Sequence, residues 1–144
     1  MIDLPDWTFG FGLIPRSLYT PMQCSYHLRV SVTIGAKERI TIRPGIGFTD
    51  EWEWVPAGYI FAVNYAVASI DDNCLIKLEF GEENPQNVGN PKWLGARYGY
   101  GSAEFLVGLH YIFRPYTRAV YAVTNYGSTE QYLEMVISGI LERV

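Results

Sequence analysis

The chain has 144 residues, 49% hydrophobic, 15% aromatic and 18% charged, with a formal net charge of −4. A single domain of that size buries about two-thirds of the surface its unfolded chain exposes, so no metal or disulfide framework is required. The composition excludes disorder, and an acidic chain without a Lys/Arg cluster is no candidate for nucleic acid, whose phosphates call for a basic stripe.

Residues 1–22 read as an extended N-terminal arm. Pro5, Pro15 and Pro21 punctuate it and Gly10 and Gly12 interrupt it, yet it carries Trp7, Phe9, Phe11, Leu13, Ile14 and Tyr19. Disordered tails are poor in aromatics. This one has apolar surface to bury, on its own domain or on a neighbouring subunit. The start, MIDLPDW, lacks the basic and apolar regions of a signal peptide, and no apolar run approaches the ~20 residues that cross a bilayer.

Residues 23–144 read as one β-sandwich domain. Cys24 to Ile34 alternates apolar and polar residues without error, Gly35-Ala36-Lys37 turns the chain, and Glu38 to Arg43 alternates again. Glu51 to Val55 is expected as a short strand with Trp52 and Trp54 on one face. Tyr59 to Ile70 and Cys74 to Phe80, separated by Asp71-Asp72-Asn73, have the form of a β-hairpin. Its first arm is apolar on both faces and should lie centrally, covered on both sides.

Gly81 to Ser102 is the longest irregular stretch, rich in Gly, Asn and Pro, with a short strand expected around Trp93 to Tyr100. Ala103 to Arg114 and Thr117 to Asn125 read as strands, and Asn125-Tyr126-Gly127-Ser128 as a turn. Thr129 to Val144 fits helical spacing through Leu133, Val136, Ile137, Ile140, Leu141 and Val144. It also fits strand spacing through Leu133, Met135, Ile137 and Leu141. Gly139 costs a helix ~1 kcal/mol and every neighbour is a strand, so strand is preferred. About eight strands result, an antiparallel all-β sandwich of jelly-roll type.

The segments VPAGYIFAVNYAVAS, FRPYT and VTNYGSTEQYLEMVISGILE, within residues 55–144, resemble small jelly-roll proteins of phage and virus particles, such as decoration and head-fibre proteins. The resemblance is of pattern and supplies no functional residues. It implies a non-catalytic structural role on a virion, in homo-oligomers (often trimers) seated on a larger protein shell.

Candidate chemistry is sparse. His27 and His110 lack the companions of a metal site. Asp71, Asp72 and Asn73, or Glu82, Glu83 and Asn84, lack the ligand spacing of a calcium loop and read as turn and solvated loop. Asp50, Glu51 and Glu53 fit an edge strand better than an acid/base pair. There is neither a G-x-S-x-G nor a phosphate-binding loop. Cys24 and Cys74 read as buried thiols, with a bond between them left open. No catalytic residue, cofactor or metal is therefore expected. The surface candidates are Trp7, Phe9, Phe11, Trp52, Trp54, Trp93, Tyr98 and Tyr100, as a protein interface or, alternatively, a carbohydrate-binding platform.

Overall fold

The structure is a computed structural model and describes residues 23–43, 54–105 and 111–144, with side chains from Arg29 onward. The 1–22 arm with Trp7, Phe9 and Phe11, together with Trp52, His110 and the side chains of Cys24 and His27, lies outside the described residues.

Nine strands and no helix occur among the described residues: β1 (Gln23–Ile34), β2 (Arg39–Ile42), β3 (Tyr59–Ser69), β4 (Leu75–Glu83), β5 (Lys92–Tyr100), β6 (Ser102–Phe105), β7 (Tyr111–Phe113), β8 (Arg118–Asn125) and β9 (Gln131–Arg143). One sheet has the order β1-β9-β3-β6, with β7 also pairing β3, and the other has the order β2-β8-β4-β5. All pairings are antiparallel. β6 pairs with Ala66–Ser69 and β7 with Phe61–Val63, so the two are halves of one edge. Counting them once gives the two four-stranded sheets of a jelly roll.

The expected β3–β4 hairpin does not form. β3 pairs with β9, β6 and β7, whereas β4 pairs with β5 and β8 in the opposite sheet. Asp71-Asp72-Asn73 therefore carries the chain across the sandwich. Asp72 is held there by Gln131, whose Nε2 donates to Asp72 Oδ2 at 2.8 Å and whose Oε1 accepts the Asp72 N–H at 3.1 Å. β3 is central within its sheet, as expected, but only one of its faces meets the core. The register with β9 shifts between Val63 and Tyr65. That bulge moves Ala66 and Ala68 onto the inner face occupied earlier by Phe61 and Val63. Its outer face keeps half-buried Ile60, Ala62, Tyr65 and Val67.

The last segment is a strand throughout, and Gly139 shows why. A Cβ there would stand 2.4 Å from Phe61 Cζ and 2.9 Å from the Ala62 carbonyl oxygen. The Phe61 ring lies over the bare backbone of the neighbouring strand, a cross-strand pairing that no other residue type allows. Trp54 and Val55, expected at the end of a strand, are not in one. Val55 nevertheless exchanges backbone hydrogen bonds with Thr117 (2.9 Å) and Tyr116 (2.8 Å). The irregular stretch after Gly81 shortens to residues 84–91, because β4 runs on to Glu83 and β5 begins at Lys92. The Asn84 side-chain oxygen accepts the N–H groups of Gln86 and Asn87 at 2.8 and 3.1 Å, closing this loop on itself.

The core lies between the sheets. Ile34, Phe61, Val63, Leu133, Met135, Ile137 and Phe113 meet Ile76, Leu78, Phe80, Tyr121 and Val123. Phe80 is its aromatic hub, with ring centroids of Phe105, Tyr111, Phe113 and Tyr121 at 5.4 to 5.7 Å. Asn125, fully buried, ties three loops together. Its amide nitrogen donates to the carbonyls of Gly35 and Thr129, both at 3.0 Å, and its oxygen accepts the Gly127 N–H at 2.8 Å and the Cys74 thiol at 3.7 Å. Cys74 is a free cysteine.

Candidate functional site

Two outer surfaces of the sandwich carry the side chains of interest. The first is the outside of the β2-β8-β4-β5 sheet. Because Ile76, Leu78 and Phe80 point inward, period-two geometry turns Lys77, Glu79, Gly81 and Glu83 outward along β4. Register places Tyr98, Ala96 and Trp93 of β5 beside the first three, and Arg118 of β8 beside Glu83. The edge strand β2 adds Arg39 and, just beyond its end, Arg43.

These residues form a layered set of ion pairs and rings. The Arg39 Nε–H donates to Glu79 Oε1 at 2.8 Å, and its guanidinium lies 4.9 Å from the centre of the Trp93 ring. Trp93 rests on Gly81, where a Cβ would approach the indole to 2.8 Å. The Lys77 ammonium stands 5.5 Å from the Tyr98 ring, and Tyr98 stacks on Tyr126 at 6.4 Å. Glu83, whose side chain is wholly buried, accepts Arg43 Nε at 2.9 Å and Arg118 Nε at 3.0 Å on one oxygen. The other oxygen takes Arg43 Nη2 at 3.0 Å and the Gly89 N–H at 2.8 Å. The Arg118 guanidinium lies 4.2 Å from the centre of the Trp54 ring. Burial works to raise the Glu83 carboxyl, but Arg43, Gly89 and Arg118 outweigh it and bring it down to about 2. Glu83 thus stays ionised as a structural anion, far from the range in which a carboxylate exchanges protons at neutrality. Outward-facing Val120 and Ala122 are fully buried, so this layer roofs the sheet.

The structure therefore brings Trp54, Trp93 and Tyr98 onto one face, although not as a bare platform. Sugar rings stack on open aromatic faces, and here cations already stand over all three rings. Tyr100, 69% exposed at the end of β5, projects freely. The cations that cover the rings were not legible as partners, because Arg39 and Arg118 lie far from Trp93 and Trp54 in sequence. Glu83 reads from composition as part of a solvated loop. Its phase with Lys77 and Glu79 was the available signal that it continues β4. Glu82, on the opposite side of the strand, accepts the Tyr111 hydroxyl at 3.0 Å.

The second surface is the outside of the other sheet. Ala62 stands between Ile140 of β9 and Ile112 of β7, Tyr65 beside Ser138, and Val67 beside Val136. The result is an apolar strip on three adjacent strands, with Ile112 44% exposed.

Inside the sandwich a cavity of about 10 Å3 is lined by Val63, Ala66, Phe80, Phe105 and Tyr121. The fully buried Tyr121 hydroxyl has no hydrogen-bond partner among the described residues. No group of three or more His, Cys, Asp or Glu residues among the described ones is placed to hold a metal. No helix among them is long and apolar enough to cross a membrane.

No protein-family model and no curated protein matches the chain. Solved structures similar to it include a subunit of Bacillus endospore appendages, a family of disulfide-linked pili, at 12% identity and a TM-score of 0.48 over 85% of this chain and 89% of that one. The Yersinia pseudotuberculosis-derived mitogen is similar at 7% identity and a TM-score of 0.44 over 79% of this chain and 86% of that one. The Drosophila NLP core follows at 9% identity and a TM-score of 0.34 over 80% and 98%. Likenesses at this level bear on neither function nor partner.

Proposed function

We infer that this protein is a non-catalytic structural subunit that assembles into a symmetric homo-oligomer on a larger particle, a phage or virus capsid or its decoration layer. The observation that carries the reading is the apolar strip on the outside of β3, β9 and β7. Central strands of a sheet with one solvated face ordinarily turn polar side chains outward. Here Ile60, Ala62, Tyr65 and Val67 of β3 and Val136 and Ile140 of β9 take such positions, with Ser138 between the last two and Ile112 beside Ala62 on the edge strand β7. Apolar patches of that kind mark protein contacts. Trp54, Trp93 and Tyr98 on the opposite face lie under cations, which supports a rigid building block over a ligand platform. The particle itself is argued from the sequence resemblance to phage and virus jelly rolls.

The test is the mass of the purified full chain in solution by light scattering, together with its tryptophan emission during titration with oligosaccharides. A defined multiple of 16.4 kDa and an unmoved emission spectrum are expected. A monomer at all concentrations whose emission shifts with sugar overturns the reading in favour of a carbohydrate-binding module. Capsid or tail genes adjoining the coding sequence are the expected neighbourhood.

A further inference from the structure

The apolar strip has dimensions that narrow what covers it. It spans three strands, ~10 Å between the outer two, and runs eight residues from Ile60 to Val67, ~26 Å. With side-chain width it amounts to ~400 Å2. Two copies pressing identical strips together bury ~800 Å2 in total, short of the ~1,200 Å2 at which stable interfaces begin. The strip therefore calls for an occupant that brings more apolar surface than a second strip does.

The chain itself contains one. β1 begins at Gln23, opposite Glu142 of β9, and Glu142 lies opposite Ile60 of β3. The 22 residues preceding β1 thus depart from the end of the sheet at which the strip starts. Within them Trp7, Phe9, Phe11 and Leu13 fall at alternate positions, with Thr8, Gly10 and Gly12 between. Drawn out as a strand, that stretch presents four large apolar side chains on one side and small residues on the other. From 7 to 13 it spans ~23 Å, close to the length of the strip. Pro21 biases Thr20 toward extended backbone, and a segment that continues the direction of β1 beyond Gln23 leads away from its own strip. Fully extended, 22 residues reach ~70 Å, enough to arrive on another subunit.

We propose that residues 1–22 of one copy dock on the outer face of β3, β9 and β7 of a second copy, with Trp7, Phe9, Phe11 and Leu13 lying along the strip. This rests on the homo-oligomer reading above and adds the contact that builds it.

The experiment places a benzophenone cross-linker at one position, Phe9→benzoylphenylalanine, in the full chain. Copies grown with light and heavy nitrogen are mixed, irradiated and mapped by mass spectrometry. Light scattering is run on the same sample. Mixed-isotope cross-links into residues 59–67, 111–113 or 134–143 are expected, and Ala62→Glu should reduce them at least tenfold while leaving the circular dichroism spectrum unchanged. An oligomer whose cross-links fall elsewhere, or only within single chains, overturns the docking proposal and leaves the assembly reading standing. A monomer by light scattering overturns both.

Discussion

The Tyr121 hydroxyl offers the sharpest test of the core. Tyr121 is wholly buried on β8 and lines the 10 Å3 cavity, and its hydroxyl has no partner among the described residues. A buried hydroxyl in that state costs ~1–3 kcal/mol relative to water. Tyr121→Phe removes the cost and enlarges the cavity by ~10–15 Å3, a penalty of ~0.3 kcal/mol at ~24 cal/mol per Å3. The variant should therefore be more stable by ~1–2 kcal/mol. In urea its midpoint should rise by ~0.5–1 M at an m-value of ~2 kcal/mol per M, with m unchanged. A second readout follows from burial, which pushes the phenol far above its ordinary range. Above pH ~10 the unfolded chain gives up this proton while the folded one keeps it, so stability falls as pH rises, by ~1.4 kcal/mol per unit for this group. Tyr121→Phe should lose that component. A variant destabilised by 1 kcal/mol or more at neutral pH refutes the reasoning, since it means the hydroxyl is bonded in the native protein.

Three further outcomes are expected. Glu83 falls from 4.5 to about 2 on folding, and at ~1.4 kcal/mol per unit that difference contributes ~3 kcal/mol at neutral pH. For a lowered carboxylate the contribution is present above its unfolded value and disappears as pH drops toward 2; Glu83→Gln should flatten thermal stability across that window and destabilise the protein at pH 7. Gly139→Ala drives a methyl into the Phe61 ring and the Ala62 carbonyl and should cost about 1–3 kcal/mol in chemical unfolding, with Phe61→Leu in the same chain recovering part of it. Asn125→Ala strands the Gly127 N–H and two loop carbonyls and should cost about 2–4 kcal/mol by calorimetry, whereas Asn125→Asp keeps the acceptor and should retain binding of the Gly127 N–H.

Which parts of this architecture can be read from sequence follows from how local each signal is. Period-two patterning located β1 and favoured a strand for β9, since a strand with one buried face writes its alternation into every second residue, whereas β8 is buried on both faces and shows none. Gly139 argued for a strand on propensity, and its actual reason, the ring of Phe61, is a cross-strand contact that sequence does not display. The Asp71-Asp72-Asn73 break looked like a hairpin because a sheet-to-sheet crossover and a hairpin ask the same of three residues. Only pairing partners tens of residues away distinguish them. The bulge between Val63 and Tyr65 exchanged the two faces of β3 midway, so the strand looked apolar on both sides when each side is apolar for a different reason. Trp54, Trp93 and Tyr98 were legible only as candidates for an interface or ligand surface. That Arg118, Arg39 and Lys77 stand over them was not legible, because each of the three cations comes from a strand that does not carry the ring it covers.

The pairing of β1 with β9 has a mechanical side. Gln23 lies opposite Glu142, and the two strands remain paired through Ile34 and Gln131. Tension applied between the segment before Gln23 and the chain beyond Arg143 therefore meets the ladder at its open end and parts it one rung after another. Pulling both strands lengthwise past each other would have to rupture all the rungs together. A subunit tethered by its leading segment alone, with its tail slack, escapes the peeling geometry. Force-clamp measurements with handles at residues 23 and 143 should accordingly record yielding at much lower load than handles at residues 23 and 131.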